Sequence, residues 1–550
     1  MNSSAPAPGP THRAATAPRP AAHPGSTAAA GAGTPGARFT AVLHEAARAV
    51  AGRPALEPVR HALAAAEARL AARMRLAVVG RVSQGKSTLV NALIGRRLAP
   101  TGRLELSYTV NHIRHGTPPS LTLHRRDGTS VPADLAELER YAVRAAEHRE
   151  YLAAIDHLEV VCDSPHLAAF DLIDTAGLGS VWHEDSQRTL DFLRRSKDSV
   201  DEETAAATAR ADALMVVMSG RGMAGGDAEL LARFLGPDAV LRSPVTAVGV
   251  LTKVETLWPH APDPMAAARE LLARTTAFAA NRRLVFDTAP VCGLLAETAA
   301  LLDGADLDAL TTLAAVPAPR LDRALRNAVV FGGTDDDPLP LTAAERRALY
   351  RRFSGYGLHS AVRLIREGAT TAAELRTALS ALSGIDALRR TVTGHFGHRS
   401  EAVKIQGAVG AVCDTARGLR PTLDAEDRHA ADAVDRLLTG FLAREPALGE
   451  LDVLHRLATG TLRLGPEDRE QVLALVGARG RDVHSRLGLP PDTPLDTARR
   501  RALDLAAAWL PRTAAGFPGG DRAAARLLHA RCQNLLAHID AARSHLEDPR

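Results

Sequence analysis

Gly80-Arg81-Val82-Ser83-Gln84-Gly85-Lys86-Ser87 fits G-x-x-x-x-G-K-S without a gap, the pattern of a loop that surrounds a polyphosphate. Such chemistry needs successive backbone N–H groups backed by a helix N-terminus, a lysine to reach the β- and γ-phosphates and a hydroxyl for Mg²⁺. Lys86 and Ser87 stand at the last two positions, and Thr88 opens the helix behind them. Asp174-Thr175-Ala176-Gly177 supplies D-x-x-G, in which Asp174 holds Mg²⁺ through water and the Gly177 N–H meets the γ-phosphate. Thr252-Lys253-Val254-Glu255 stands where guanine readers carry [N/T]-K-x-D. That carboxylate accepts the N1–H and N2–H of guanine, a pair of bonds adenine cannot return. Here the acid is Glu, whose extra methylene keeps the charge and moves the oxygens outward, so GTP is the expected ligand and ATP the open alternative. Pro100 to Thr109 suits a mobile switch that needs a hydroxyl as second Mg²⁺ ligand, Ser107 before Thr109.

These residues need a frame, and the sequence around them provides one. Leu76-Ala77-Val78-Val79 reads as a buried strand before the loop, and Thr88 to Ile94 as an apolar-faced helix after it. Strand signals follow near Val110 to Arg114, Leu121 to His124, Leu158 to Cys162, Phe170 to Ile173, Ala213 to Met218, Thr246 to Leu251 and Leu284 to Val291. Short apolar strands separated by helices predict a mostly parallel α/β sheet covered on both faces, with ligands at the C-terminal strand ends. Val291-Cys292-Gly293 closes that sheet, and Val291 is expected to pack on the base.

At 550 residues the chain exceeds a single core, and its apolar content of 46% with only 3% aromatics favours helices beside the sheet. Four cysteines without C-x-x-C spacing indicate neither a disulfide framework nor zinc, and a reducing cytosol fits. The net charge is +4, almost all from arginine, which looks like codon usage in a GC-rich bacterium, so no nucleic-acid partner is expected. Lys86 and Lys253 are two of only four lysines, so lysine is specifically required in both motifs.

Residues 1–37 are rich in Ala, Pro and Gly, without an acidic residue, and read as a disordered tail with no signal peptide. In residues 38–74, Leu56, Val59, Leu63, Ala66 and Leu70 form the seam of a helix that needs a helical partner, to be found beyond the α/β segment. The α/β part is assigned to 75–312 and a helical bundle to 313–550. Val434, Leu437, Leu438, Phe441 and Leu442 give one amphipathic stripe there, and Leu528, Cys532, Leu535, Leu536 and Ile539 another. No apolar run is long enough to span a bilayer. Between two helices, Trp509 to Gly520 admits two readings: a tip inserting Trp509 and Phe517 at an anionic membrane surface, or a loop whose aromatics pack on the bundle.

With these motifs in order, the chain resembles the dynamin superfamily, most closely the bacterial dynamin-like GTPases of actinobacteria that include the isoniazid-inducible proteins. The likeness runs from Gly80 to Leu93, through Ala99 to Gly116 with Glu105 and Ser107 in a switch, and Ala289 to Glu297 on the guanine side. It continues in Ser383 to Leu388 with His395, Phe396 and Arg399 in a neck. Ser107 stands where the family usually has Thr, and Leu178 where Ras-type enzymes place their catalytic Gln. Eukaryotic dynamins use a Gln and a Ser of the phosphate loop; Val82 and Ser83 occupy those places. The resemblance implies GTP hydrolysis by Lys86, Ser83 and Ser107, with Arg81 or Arg103 as further charge, and Mg²⁺ on Ser87, Ser107 and Asp174. It implies nucleotide contacts from Gly80 through Thr88, from Asp174 and Gly177, and from Thr252, Lys253, Glu255 and Val291. It also implies homo- or hetero-oligomers through the G domain and a cytoplasmic protein acting peripherally at the inner membrane face. Two alternatives stay open: a soluble regulatory GTPase whose helices bind a protein partner, and a P-loop ATPase.

Overall fold

The computed structural model describes residues 33–81, 83–99, 110–142, 154–175, 211–219, 243–277, 283–334, 339–514 and 519–547. Val82, Ser107, Thr109, Arg103, Gly177, Leu178 and Phe517 lie outside them. Among the described residues, nine strands form one sheet: β1 (Met74–Val79), β2 (Val110–His115), β3 (Ser120–Arg125), β4 (Ser130–Ala133), β5 (Ile155–Cys162), β6 (Phe170–Asp174), β7 (Ala213–Ser219), β8 (Ala247–Thr252) and β9 (Asp287–Pro290). Their order is β4-β3-β5-β2-β6-β1-β7-β8-β9. The pairs β2/β5, β6/β1, β1/β7, β7/β8 and β8/β9 are parallel, while β2/β6, β3/β5 and β3/β4 are antiparallel. The mostly parallel α/β sheet with an added helical bundle is therefore the fold.

Two strand expectations need correction. β4 was not foreseen, because Pro132 interrupts a four-residue run; the strand lies at the sheet edge, where a missing N–H costs least. β9 is shorter than Leu284 to Val291, since Phe286 stacks on His395 with ring centroids 4.1 Å apart before the strand begins.

Alternation along β1 sends Met74, Leu76 and Val78 into one core and Ala77 and Val79 into the other. The second core also holds Leu295, Phe353 and Leu375, so the helices from 293 to 383 lie on that face. The first core continues through Phe396 and Val403 to Leu438 and Leu528, joining the sheet to the helical bundle without a break. The N-terminal helices Pro35–Ala49 and Glu57–Ala71 belong to this bundle: Val59, Leu63 and Ala66 are buried, and the helix Ser400–Leu419 is the partner. Phe39 meets Phe441 at 5.1 Å between ring centroids, and the buried Lys404 ammonium donates to the Ala72 carbonyl. In the second C-terminal stripe Leu528, Cys532, Leu535 and Ile539 are all buried.

Of the two readings of the Trp509 loop, packing holds for Trp509 itself. Its ring is 3% exposed and the Arg512 guanidinium lies over it at 4.7 Å, so it has no free face for a headgroup layer. No helix among the described residues is long and apolar enough to cross a membrane.

Candidate nucleotide-binding site

Parallel register sets the site. Val78 pairs with Asp174, Ser219 with Thr252 and Leu251 with Pro290, so the segments following β1, β6, β8 and β9 emerge along one edge of the sheet.

The phosphate loop is held by its own atoms. A Cβ at Gly80 would come within 2.8 Å of the Val217 carbonyl oxygen of β7, so only glycine fits there. The Arg81 N–H donates to Gln84 Oε1 at 2.6 Å, and Ser83 takes a left-handed φ of 60°, strained for a residue with a Cβ. Ser83 and Arg81 are exposed, Ser87 and Thr88 half-buried. Lys86 Nζ donates to the carbonyls of Gly80 (3.0 Å) and Arg81 (3.1 Å), which aims the ammonium across the loop and leaves one of its three protons. Lys86 is buried, and burial lowers its pKa to about 8 against the opposing pull of Asp174.

Asp174 is the complementary group. It is buried at the end of β6, and burial raises its pKa to about 6, an effect that Lys86 and then Asn111 partly offset. The Asn111 side chain lies beside the carboxylate, yet neither oxygen has a well-aligned hydrogen bond among the described residues. A buried carboxylate costs several kcal/mol, on the order of the unpaired-charge penalty, unless a cation meets it. Hard oxygen donors from Asp174 and Ser87 fit Mg²⁺ in chemical type.

On the base side, the Thr252 hydroxyl is within hydrogen-bond distance of the Gln84 and Met218 carbonyls, tying β8 to the phosphate loop and to β7. Lys253 has φ 56°, again left-handed. Glu255 is half-buried, and burial raises its pKa. Its Oε2 lies 3.2 Å from Cys292 Sγ. Val291 is fully buried, its N–H donating to the Leu251 carbonyl at 2.8 Å; it forms floor and offers no open surface. Among the described site residues, Gly80, Arg81, Ser83, Gln84, Gly85, Lys86, Ser87 and Thr88 gather with Asp174 and Thr252 around the loop, with Lys253 and Glu255 at the β8 end of the same edge.

Residues 76–254 match the Dynamin family model. The isoniazid-induced protein IniC of Mycobacterium tuberculosis, strains CDC 1551 / Oshkosh and H37Rv, is 29% identical over 480 residues, 87% of this chain and 93% of that protein. The chain is similar to bacterial dynamin-like proteins. Dynamin-like protein 2 of Campylobacter jejuni is 28% identical to this dynamin-like chain over 121 residues, 22% of the chain and 19% of that protein. A solved oligomerised bacterial dynamin pair, described as a mechanism for long-range sensing and tethering of membranes, covers 92% of each chain at 12% identity and a TM-score of 0.30.

Two residues of this dynamin-like chain escaped the motif reading. Asn91 is fully buried in the phosphate-loop helix; its Oδ1 accepts the N–H of Leu98 and Ala99 at 2.9 and 2.7 Å, and its Nδ2 donates to the Ala99 carbonyl and to Glu297. It fixes the chain at Leu98 and Ala99. The signal was available, because Asn91 is the polar interruption in Leu89-Val90-Asn91-Ala92-Leu93. Arg389 donates to the Ala92 carbonyl at 2.6 Å near the C-terminus of that helix.

Proposed function

We propose that this dynamin-like chain binds GTP with Mg²⁺, hydrolyses it slowly or on dimerisation, and uses the cycle for G-domain association and peripheral remodelling of an anionic membrane at the inner face of the cell. The observation that carries the reading is the buried, oppositely charged pair Lys86 and Asp174, on the same sheet edge as Glu255.

In this reading residues 75–312 form the nucleotide-binding domain, and 38–74 with 313–550 the helical neck and trunk. Lys86 neutralises the β- and γ-phosphates, the loop N–H groups orient them, and Ser83, exposed on the loop, is placed to position water in the absence of a catalytic Gln. Mg²⁺, held by Ser87, Asp174 and Ser107, would supply charge neutralisation of the polyphosphate. Glu255 accepts from guanine.

A route from the site to the helices supports the mechanical part. The Cys292 N–H donates to the Ser383 carbonyl at 2.9 Å, and the next residue, Gly384, has φ 78° with room for no Cβ beside the Pro290 carbonyl at 2.6 Å. Arg389 closes the same segment onto the phosphate-loop helix. Competition of GTP against ATP tests the nucleotide reading: preference for GTP and GTP turnover are expected, and preference for ATP would end it. Pelleting with anionic vesicles tests the membrane part, which absence of binding in the GTP, GDP and nucleotide-free states alike would remove.

A further inference from the structure

We propose that Cys292 is the positioning residue for base recognition: its thiol proton holds the Glu255 carboxylate in place, making up for the methylene by which Glu255 exceeds the Asp of the usual motif. The inference rests on the guanine reading above and names how this chain carries it out.

The geometry is local and closed. Cys292 Sγ donates to Glu255 Oε2 at 3.2 Å from the end of β9, across to the segment leaving β8. Cys292 is 1% exposed, and its own backbone is fixed by the bond from its N–H to the Ser383 carbonyl. The thiol therefore has little freedom to leave. Burial first, and the Glu255 charge second, push the Cys292 pKa well above its ordinary value, so the sulfur keeps its proton and acts as donor. Cys292 stands at the N-cap position of the helix Gly293–Leu301, without a side-chain capping bond, so the acceptor oxygen sits near a positive helix end.

Glu has one more rotatable bond than Asp, and an unheld Glu carboxylate samples several orientations. A carboxylate offers about four lone-pair sites on its two oxygens, so Oε2 can accept from the thiol while sites remain for the N1–H and N2–H of guanine. Without the thiol, the orientation in which both guanine protons are met at once is one of several. The base contact should then lose its two-point character while phosphate binding is retained.

The test compares GDP with IDP, whose base lacks the 2-amino group, on the full-length chain by calorimetry. In the unaltered protein GDP should bind about ten-fold more tightly than IDP, the weight of one hydrogen bond to a charged acceptor. Cys292→Ala should bring that ratio to within about three-fold, chiefly by weakening GDP, and Cys292→Ser, which keeps a donor, should restore most of it. Cys292→Val, close in size and without a donor, serves if the alanine variant does not fold. An unchanged GDP-to-IDP ratio in the non-donor variant overturns the proposal, and so does an equal loss of GDP and IDP affinity, which would make Cys292 merely structural. ADP is the control for the underlying reading: an unaltered protein that does not prefer GDP over ADP removes both, whereas preference for GDP with no effect of Cys292 removes this inference alone.

Discussion

The sheet edge around Lys86 and the helical stack after residue 340 follow opposite rules. In the stack, local preferences and final structure agree. Thr342 with Glu345 and Thr371 with Glu374 form reciprocal capping boxes, and the apolar stripes of the long helices are the faces that end up buried. At the edge the preferences are overridden: Ser83 and Lys253 adopt left-handed backbone, and an ammonium and a carboxylate are buried side by side. Strain by itself does not separate the regions, since Leu341 and Ser354 also have positive φ. Strain together with desolvated, oppositely charged groups does, and that combination marks a place organised for a ligand instead of for stability.

The sharpest way to break this contrast is at Lys86. Lys86→Ala removes the cation proposed to meet the phosphates and should weaken GTP binding by about 100-fold or more, as expected for loss of charge-assisted bonds in a buried site. Its thermal midpoint should not fall, because a desolvated ammonium is lost with it. Undiminished GTP turnover would remove the contrast altogether. Leu528→Ala is the opposite case. This fully buried side chain should cost about 2–5 kcal/mol of stability in denaturant unfolding, with GDP affinity of the folded protein unchanged.

A pH series sharpens the same point. With Lys86 at about 8 and Asp174 at about 6, both groups are charged only between those values. Mg²⁺-dependent GTP binding should be strongest there and fall by about ten-fold per pH unit on either side, as expected when one required proton must be lost or gained. Stability of the nucleotide-free protein should run the other way. Asp174, raised by burial, contributes stability that is lost as pH rises through 6; Lys86, lowered by burial, contributes stability that is lost as pH falls through 8. Both contributions are therefore absent in the window where binding is best, and melting with and without GDP across pH 5 to 9 checks both signs. A flat binding profile would mean that neither group is part of the site.

What could be read from the sequence divides along the same line. The phosphate loop and D-x-x-G are legible because polyphosphate geometry fixes spacing within a few residues, and most strands are legible because burial on both faces leaves continuous apolar runs such as Ala213 to Met218. Contacts made across the fold are not legible. Glu255 and Cys292 come from neighbouring strand ends that only the β8/β9 register brings together. Phe286 looked like strand until His395 claimed its ring. Trp509 could face lipid or bundle on the same local pattern, and the position of Arg512 settles which. Asn91 lay between: its polarity inside an apolar helix was visible, its role at Leu98 and Ala99 was not.

The smallest predicted effect is the most discriminating about where the two regions meet. Thr371 accepts the Glu374 N–H at 3.2 Å, and Glu374 accepts the Thr371 N–H at 3.1 Å, at the start of the helix Ala372–Ser383. Thr371→Ala should cost about 1 kcal/mol, a shift of a few degrees or less in the melt. The far end of that helix is Ser383, whose carbonyl holds the Cys292 N–H beside the Glu255 carboxylate. Fraying at the first turn leaves the later turns anchored by Leu379 and Ser383, both fully buried, so GDP affinity should stay within about two-fold. A larger change would mean that this helix transmits strain along its whole length, and that the cap belongs to the nucleotide site as much as to the stack.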